Sequence, residues 1–165
     1  MTGTLTSLHE IYQRHAADVF RYALFLSGNR AEAEDITSET FVRLWTAPGE
    51  IRVTTVKAYL FTIARHLYRD GRRAQVRLTA LDADVPSDAR SAEDRAAARS
   101  EFDHVRAAIH QLPEDDRTAL LMRANGLPYE DIAQALRASV GAIKVRVHRA
   151  RKRLLAARDS GETRT

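Results

Sequence analysis

Residues 129–154 read YEDIAQALRASVGAIKVRVHRARKRL, and this stretch decides how the C-terminal half of the chain folds. Residues 129–136 predict a short helix, and Arg137-Ala138-Ser139 predict a turn. A long segment without proline then runs from Val140 to Arg158. A short helix, a tight turn and a longer helix are typical of a helix-turn-helix. Its turn normally favours a glycine that can adopt a positive φ, but Arg137 stands near that position.

The last predicted helix is strongly basic on one side. Residues 132–158 contain eight lysines or arginines and no acidic residue. At about 100° per residue, Ile143 and Val147 fall on one side, while Val145 and Arg149 fall on the opposite side. We expect the apolar side to pack against the preceding helix and the basic side to fit a DNA major groove. The alternative is a solvated basic helix at the end of a bundle.

Three amphipathic helices are predicted before residue 78. Ser7 and Glu10 have capping-box spacing, and apolar residues then recur every three or four positions as far as Ser27-Gly28-Asn29. A second helix, with acidic residues in its early turns, ends at Pro48-Gly49. A third begins near Thr55 and ends in a basic stretch. These helices can share one core, so we expect an all-α domain over residues 1–77.

A flexible linker is predicted over residues 78–90. Apolar periodicity fades there, and Pro86-Ser87 favours a break. Ser91 is placed to cap the next long helix, and Pro113 fits the first turn of the one after it. The sequence therefore predicts two small helical domains, residues 1–77 and 91–165.

Composition limits the classes of function. Lysine and arginine outnumber aspartate and glutamate by 26 to 22, which gives a net charge of +4 and suits a polyanionic partner. Without cysteine, the chain cannot form disulfides, zinc ribbons or a thiol nucleophile. No long apolar stretch and no signal-peptide pattern occurs. We therefore expect a cytoplasmic protein without membrane insertion.

The same residues resemble a known family. Residues 129–133 and 139–150 resemble region 4 of extracytoplasmic-function sigma factors, and Leu112-Pro113-Glu114 resembles the start of the second half of these proteins. Residues 31–45, AEAEDITSETFVRLW, resemble region 2, and residues 57–65 resemble its promoter-melting helix. Many regulators share region 4 alone, but both regions in this order across an acidic linker are specific. The resemblance implies a transcription initiation factor, not an enzyme, that needs no cofactor.

The resemblance also implies partners and contact residues. The partners are core RNA polymerase, promoter DNA and an anti-sigma factor. Core-polymerase binding is expected of Asp35, Ser38, Glu39, Leu44 and Trp45, although the spacing also favours a core position for Leu44. Binding of the minus-ten promoter element is expected of Arg52, Thr54, Thr55, Arg65, His66, Arg69, Arg72 and Arg73. Binding of the minus-thirty-five element is expected of Ser139, Lys144, Val145, Arg146, His148 and Arg149. No catalytic residue and no metal ligand is predicted.

The sequence is also compatible with two other classes of protein, which it supports less well. A stand-alone helix-turn-helix repressor or activator would leave residues 35–45 without a task. A small metal-dependent hydrolase is suggested by six histidines and by Glu101 three residues before His104. However, no two histidines are three or four residues apart, so the metal signal is weak. A serine hydrolase triad lacks the Gly-x-Ser-x-Gly turn that would position a nucleophile.

Overall fold

The structure is a computed structural model that describes residues 3–46, 56–81 and 101–162. Within these ranges the chain forms seven α-helices and no strand, so the predicted all-α class is confirmed. The helices are α1 (Gly3–Ser27), α2 (Arg30–Thr46), α3 (Val56–Leu81), α4 (Glu101–His110), α5 (Glu114–Ala124), α6 (Tyr129–Leu136) and α7 (Val140–Glu162).

The first three helices pack on one another around a shared core. Tyr22 of α1 and Phe61 of α3 are fully buried, and their rings stack with centroids 4.7 Å apart. Phe41 of α2 is also buried, and its ring contacts the half-exposed ring of Tyr12 edge-on. The three- and four-residue spacing of the apolar positions places them on the faces that meet, as the sequence predicts.

Two predicted boundaries are wrong in the first half of the chain, which comprises helices α1 to α3; the second half comprises α4 to α7. Helix α1 begins at Gly3, so Ser7 lies inside it and is not its cap. Helix α3 continues to Leu81, which makes the first four residues of the predicted linker helical. Val76 and Leu78, near the end of this helix, are exposed. The last turns therefore lack the apolar periodicity of a packed helix, and the sequence pattern did not predict them. The rest of the predicted linker and the Ser91 cap lie outside the described residues.

The second half contains the predicted helix-turn-helix. Pro113 and Pro128 directly precede α5 and α6, where a proline suits the start of a helix. Helices α5 and α6 both pack against α7. Arg137, between α6 and α7, adopts the left-handed conformation with φ 51° and ψ 48°. The turn at residues 137–139 is therefore formed as predicted, although a non-glycine residue occupies its left-handed position.

The two halves contact each other. Helix α1 packs against α4 and α5, and α3 packs against α6. The buried guanidinium of Arg117 donates to the Tyr68 hydroxyl at 3.4 Å and to the carbonyl of His110 at 3.0 Å, which joins α3 to α5. In this arrangement the two predicted domains form one compact body with a partly polar boundary.

Candidate nucleic-acid interface

Helix α7 is held against the second half by its apolar side. Ile143, Val147 and Ala150 are fully or almost fully buried, and they recur at the three- and four-residue spacing of one helical face. The Ser139 hydroxyl accepts a hydrogen bond from the Ala142 backbone N–H at 3.1 Å, which caps the start of the helix. Packing and capping together fix which side of α7 faces outward.

The outward side of α7 carries most of the predicted minus-thirty-five residues. Lys144, Val145, His148 and Arg149 are exposed, and Val145 is 59% accessible. The Lys144 ammonium lies 5.6 Å from the centroid of the Tyr129 ring. This face therefore combines cationic donors with an apolar centre that could contact a thymine methyl.

Two arginines of α7 are paired with the acidic first turn of α5. Arg149 donates from Nε and from Nη2 to the two carboxylate oxygens of Asp116, each at 2.7 Å. These hydrogen bonds raise the pKa of Arg149 above its already high value. Arg146 lies 3.9 Å from Asp115, a loose pair between partly exposed side chains. Asp116 is 1% exposed, whereas the Arg149 side chain is 51% exposed.

The predicted minus-ten residues are divided between accessible and covered positions. His66 and Arg73 are exposed, while Arg72 donates to the Ser27 carbonyl at 3.2 Å and stacks over the Tyr68 ring. Arg52, Thr54 and Thr55 lie outside the described residues. Arg72 also lies 3.8 Å from Glu32, so among these side chains Arg73 and His66 are the accessible ones.

Two of these arginines face the second half of the chain. Arg65 is 6% exposed, and its Nη2 lies 3.7 Å from Asp115 Oδ1. Arg69 Nε lies 3.4 Å from Glu114 Oε1. Arg65 is therefore not accessible to DNA in this arrangement, which the sequence did not predict.

The acidic turn Glu114-Asp115-Asp116 is a feature that sequence reasoning missed. Acidic residues at the start of a helix are expected from the helix dipole alone. Their partners are the arginines of α3 and α7, between 31 and 50 positions away in sequence. No local pattern could have predicted these pairs.

Several polar groups are buried near the boundary between the halves. Tyr22 is fully buried, and burial raises the pKa of its hydroxyl. The Thr118 side chain opposes this rise by hydrogen bonding with Tyr22. Within the described part of the chain, no hydrogen-bond partner is found for the buried Arg65 Nε. Leaving a buried polar atom without a partner costs about 1–3 kcal/mol. The unpartnered Nε of Arg65 therefore makes its burial at this boundary less favourable.

His66 is expected to be neutral at pH 7. Partial desolvation lowers the pKa of its imidazole, and the nearby Arg65 lowers it further, against the opposing effect of Asp70. A neutral imidazole can stack or form hydrogen bonds, but it does not attract phosphate by charge. His66 thus differs in chemistry from the arginines on the same helix.

The outer face of α2 carries the other group of predicted residues. Asp35, Ser38 and Glu39 are exposed, and Trp45 is 52% accessible. Val42, which the sequence analysis did not single out, is 44% accessible on the same side. A large exposed aromatic residue beside acidic groups is a pattern expected of a protein–protein interface.

Leu44 does not belong to this surface. It is 6% exposed and forms part of the core, three positions from the buried Phe41. This spacing places both side chains on the inner face of α2. The prediction that Leu44 contacts a partner is therefore corrected.

Residues 3–46, 56–81 and 101–162 contain neither a metal-binding cluster nor a membrane-spanning helix. No group of three or more histidine, aspartate or glutamate side chains there could hold a metal ion. No helix in these ranges is long and apolar enough to span a bilayer.

Comparison with known proteins gives matches in both halves. Residues 11–78 match the family model "Sigma-70 region 2", and residues 103–154 match "Sigma-70, region 4". The chain is 34% identical to the ECF RNA polymerase sigma factor SigL of Mycobacterium tuberculosis, with 95% of this chain and 92% of that protein aligned. It is 34% identical to SigE, an ECF RNA polymerase sigma factor of Mycolicibacterium smegmatis, over 98% of this chain and 66% of that protein.

A solved structure has a similar fold. It is the sigma factor RpoE from Bartonella quintana, crystallised with the anti-sigma factor NepR. The two chains superpose with a TM-score of 0.78 at 26% identity, covering 93% of this chain and 97% of that one.

Proposed function

Since the chain belongs to the extracytoplasmic-function RNA polymerase sigma factors of the sigma-70 family, we propose that its first half binds core polymerase while both halves contact promoter DNA. As a sigma factor, it acts in promoter recognition and transcription initiation. Its relatives are regulatory proteins, and we assign it no catalytic activity of its own. We place its site of action in the cytoplasm, where bacterial RNA polymerase transcribes DNA.

The exposed face of α2 is the observation that carries this proposal. A stand-alone repressor needs a DNA-binding helix but has no use for an exposed tryptophan beside acidic side chains in a separate half. Trp45 supplies a large apolar anchor, and Asp35 and Glu39 supply the charged rim that steers a basic partner. We assign this face to core polymerase.

The DNA contacts are divided between α7 and α3. The exposed basic face of α7 is suited to the major groove of the upstream element, with Lys144 and Arg149 reading base edges. The arginines of α3 are suited to the phosphates of opened DNA, and the neutral His66 is suited to stacking on an unpaired base. Promoter opening therefore depends on α3, and upstream recognition depends on α7.

We assign the compact arrangement to a state in which minus-ten DNA cannot bind. Arg65 is buried beside Asp115, so the two halves must separate before this arginine can contact phosphate. The pair of Arg69 with Glu114, in which both side chains are partly exposed, contributes about 0–1 kcal/mol and does not prevent separation. An anti-sigma factor is a partner that could favour such a state, as the complex of the Bartonella protein with NepR suggests.

Separation of the halves can be measured directly. The chain has no cysteine, so spin labels can be placed at Ala74→Cys on α3 and Gln134→Cys on α6, both exposed positions. Core polymerase should lengthen the distance between these labels. The distance between labels at Gln13→Cys and Ala74→Cys, which both lie in the first half, should not change. An unchanged α3–α6 distance in the holoenzyme would contradict the proposed separation.

Binding to core polymerase tests the role of α2. Trp45→Ala should weaken the affinity about tenfold or more, as expected when an interface anchor is truncated. Val105→Ala is the matched control, because Val105 is a similarly exposed apolar residue on α4. Fluorescence titration of labelled protein with core polymerase gives both affinities, and thermal melting shows whether the fold is intact. Equal affinities for Trp45→Ala and the parent would remove α2 from the interface.

A further inference from the structure

We propose that Asp116 is a positioning residue that makes Arg149 a reader of guanine instead of a general phosphate contact. This inference rests on the proposed function, because it concerns how α7 recognises the upstream element. It assigns a role in sequence specificity to Asp116, which lies on α5 and not on α7.

The geometry of the pair leaves one edge of the guanidinium available. The Asp116 carboxylate accepts hydrogen bonds from Nε and from Nη2 of Arg149. These two donors lie along one side of the planar guanidinium. The end edge, formed by Nη1 and the second hydrogen of Nη2, stays unused by this pair. Two parallel donors on that edge match the O6 and N7 acceptors of guanine in the major groove.

Burial makes Asp116 the fixed member of the pair. Its carboxylate is 1% exposed on a helix packed against α7, whereas the Arg149 side chain is 51% exposed. The carboxylate cannot turn toward solvent, so it determines the direction in which Arg149 points. An arginine held in this way loses less rotamer freedom when it binds, which favours a contact of defined geometry.

Charge also argues for base reading. Arg149 and Asp116 together carry no net charge, so the pair adds little to the attraction of DNA phosphates. Lys152 lies on the same outer side of α7 and is exposed, and no carboxylate pair is found for it within the described residues. Lys152 should therefore contribute to affinity and its salt dependence, and Arg149 to discrimination between bases.

The test is a selection of promoter DNA by holoenzyme. Core polymerase with the full chain selects duplexes from a library randomised upstream of the start site, and sequencing gives the base preference at each position. The variants are Asp116→Asn, Arg149→Lys and their combination, with Lys152→Ala as the control. Asn keeps the shape of Asp but presents an amide N–H to a guanidinium donor, so one of the two hydrogen bonds is lost.

The parent should prefer guanine at one upstream position, by about tenfold. Asp116→Asn and Arg149→Lys should each lose that preference at that position alone, and the combination should lose no more than Arg149→Lys. Lys152→Ala should weaken binding to all sequences and reduce its salt dependence, while keeping the preference. If Asp116→Asn does not fold, Asp116→Glu takes its place, because it keeps the charge but moves the two acceptor oxygens that hold Arg149. It should lose the guanine preference with unchanged salt dependence.

Two results would overturn the inference while leaving the proposed function in place. One is an unchanged guanine preference in Asp116→Asn or in Arg149→Lys. The other is weaker binding of Asp116→Asn to all sequences alike, which would mean that Asp116 acts on the fold and not through Arg149. If the parent holoenzyme enriches no sequence at all, the proposed function fails, and the positioning role fails with it.

Discussion

Replacing Arg137 by glycine should stabilise the protein. Arg137 has φ 51° and ψ 48°, a left-handed conformation that costs a residue with a side chain about 1–2 kcal/mol. Glycine removes that cost but loses about 0.5–1 kcal/mol through greater freedom in the unfolded chain. The net gain in the free energy of unfolding is then about 0–1.5 kcal/mol, with a central value of about 0.75 kcal/mol. For a chain of this size, the central value corresponds to a rise in Tm of about 1.5–3 °C.

Calorimetry and urea unfolding of the full chain measure this gain, and Arg137→Ala is the control. Alanine removes the same charge and the same exposed side chain, but it keeps the unfavourable φ. Only the glycine variant should therefore be more stable than the parent. Upstream promoter recognition should persist, because the turn that orients α7 keeps its geometry. If glycine and alanine give the same stability, or if glycine destabilises, backbone strain at Arg137 is not the cause.

Three further predictions follow from the structure. Phe61→Ala should lower the free energy of unfolding by about 3–5 kcal/mol in urea titrations, because the fully buried ring stacks on Tyr22. Burial, and secondarily Lys57, lowers the pKa of His15. As the pH falls, His15 is therefore protonated at a higher pH in the unfolded chain than in the folded one. Stability should therefore fall as the pH drops below about 6.5, and less so in His15→Gln when unfolding is compared at pH 7.5 and 5.5. Replacing Asp35 and Glu39 together by alanine should slow association with core polymerase in stopped-flow measurements at low salt, with Tm unchanged.

The fold was predictable where the pattern is local. The helix-turn-helix follows from the apolar spacing of Ile143 and Val147 and from the short turn at residues 137–139, which the structure confirms. The start of α1 was missed because Ser7 has the spacing of a cap, although nothing in residues 3–6 prevents a helix. Leu44 is buried because it lies three positions after Phe41, on the same inner face of α2, whereas the resemblance to the family suggested a surface role.

The candidate site was only partly predictable for a related reason. Exposure of Lys144 and Val145 follows from helical periodicity within α7. Arg149 and Asp116 are 33 positions apart in sequence and lie on different helices, and the contact of Arg65 with Asp115 joins the two halves. These pairs depend on how the helices pack, which the spacing within one helix does not specify.

Run-off transcription with core polymerase on a library of genomic fragments tests the central claim most directly. If the chain is a sigma factor of this type, new transcripts should start at a defined set of sites only when the protein is added. Their upstream regions should share two elements at a constant spacing, one for each half of the chain. Core polymerase that gains no new start sites, while the protein alone binds a duplex operator tightly, would contradict the account and support a stand-alone helix-turn-helix regulator.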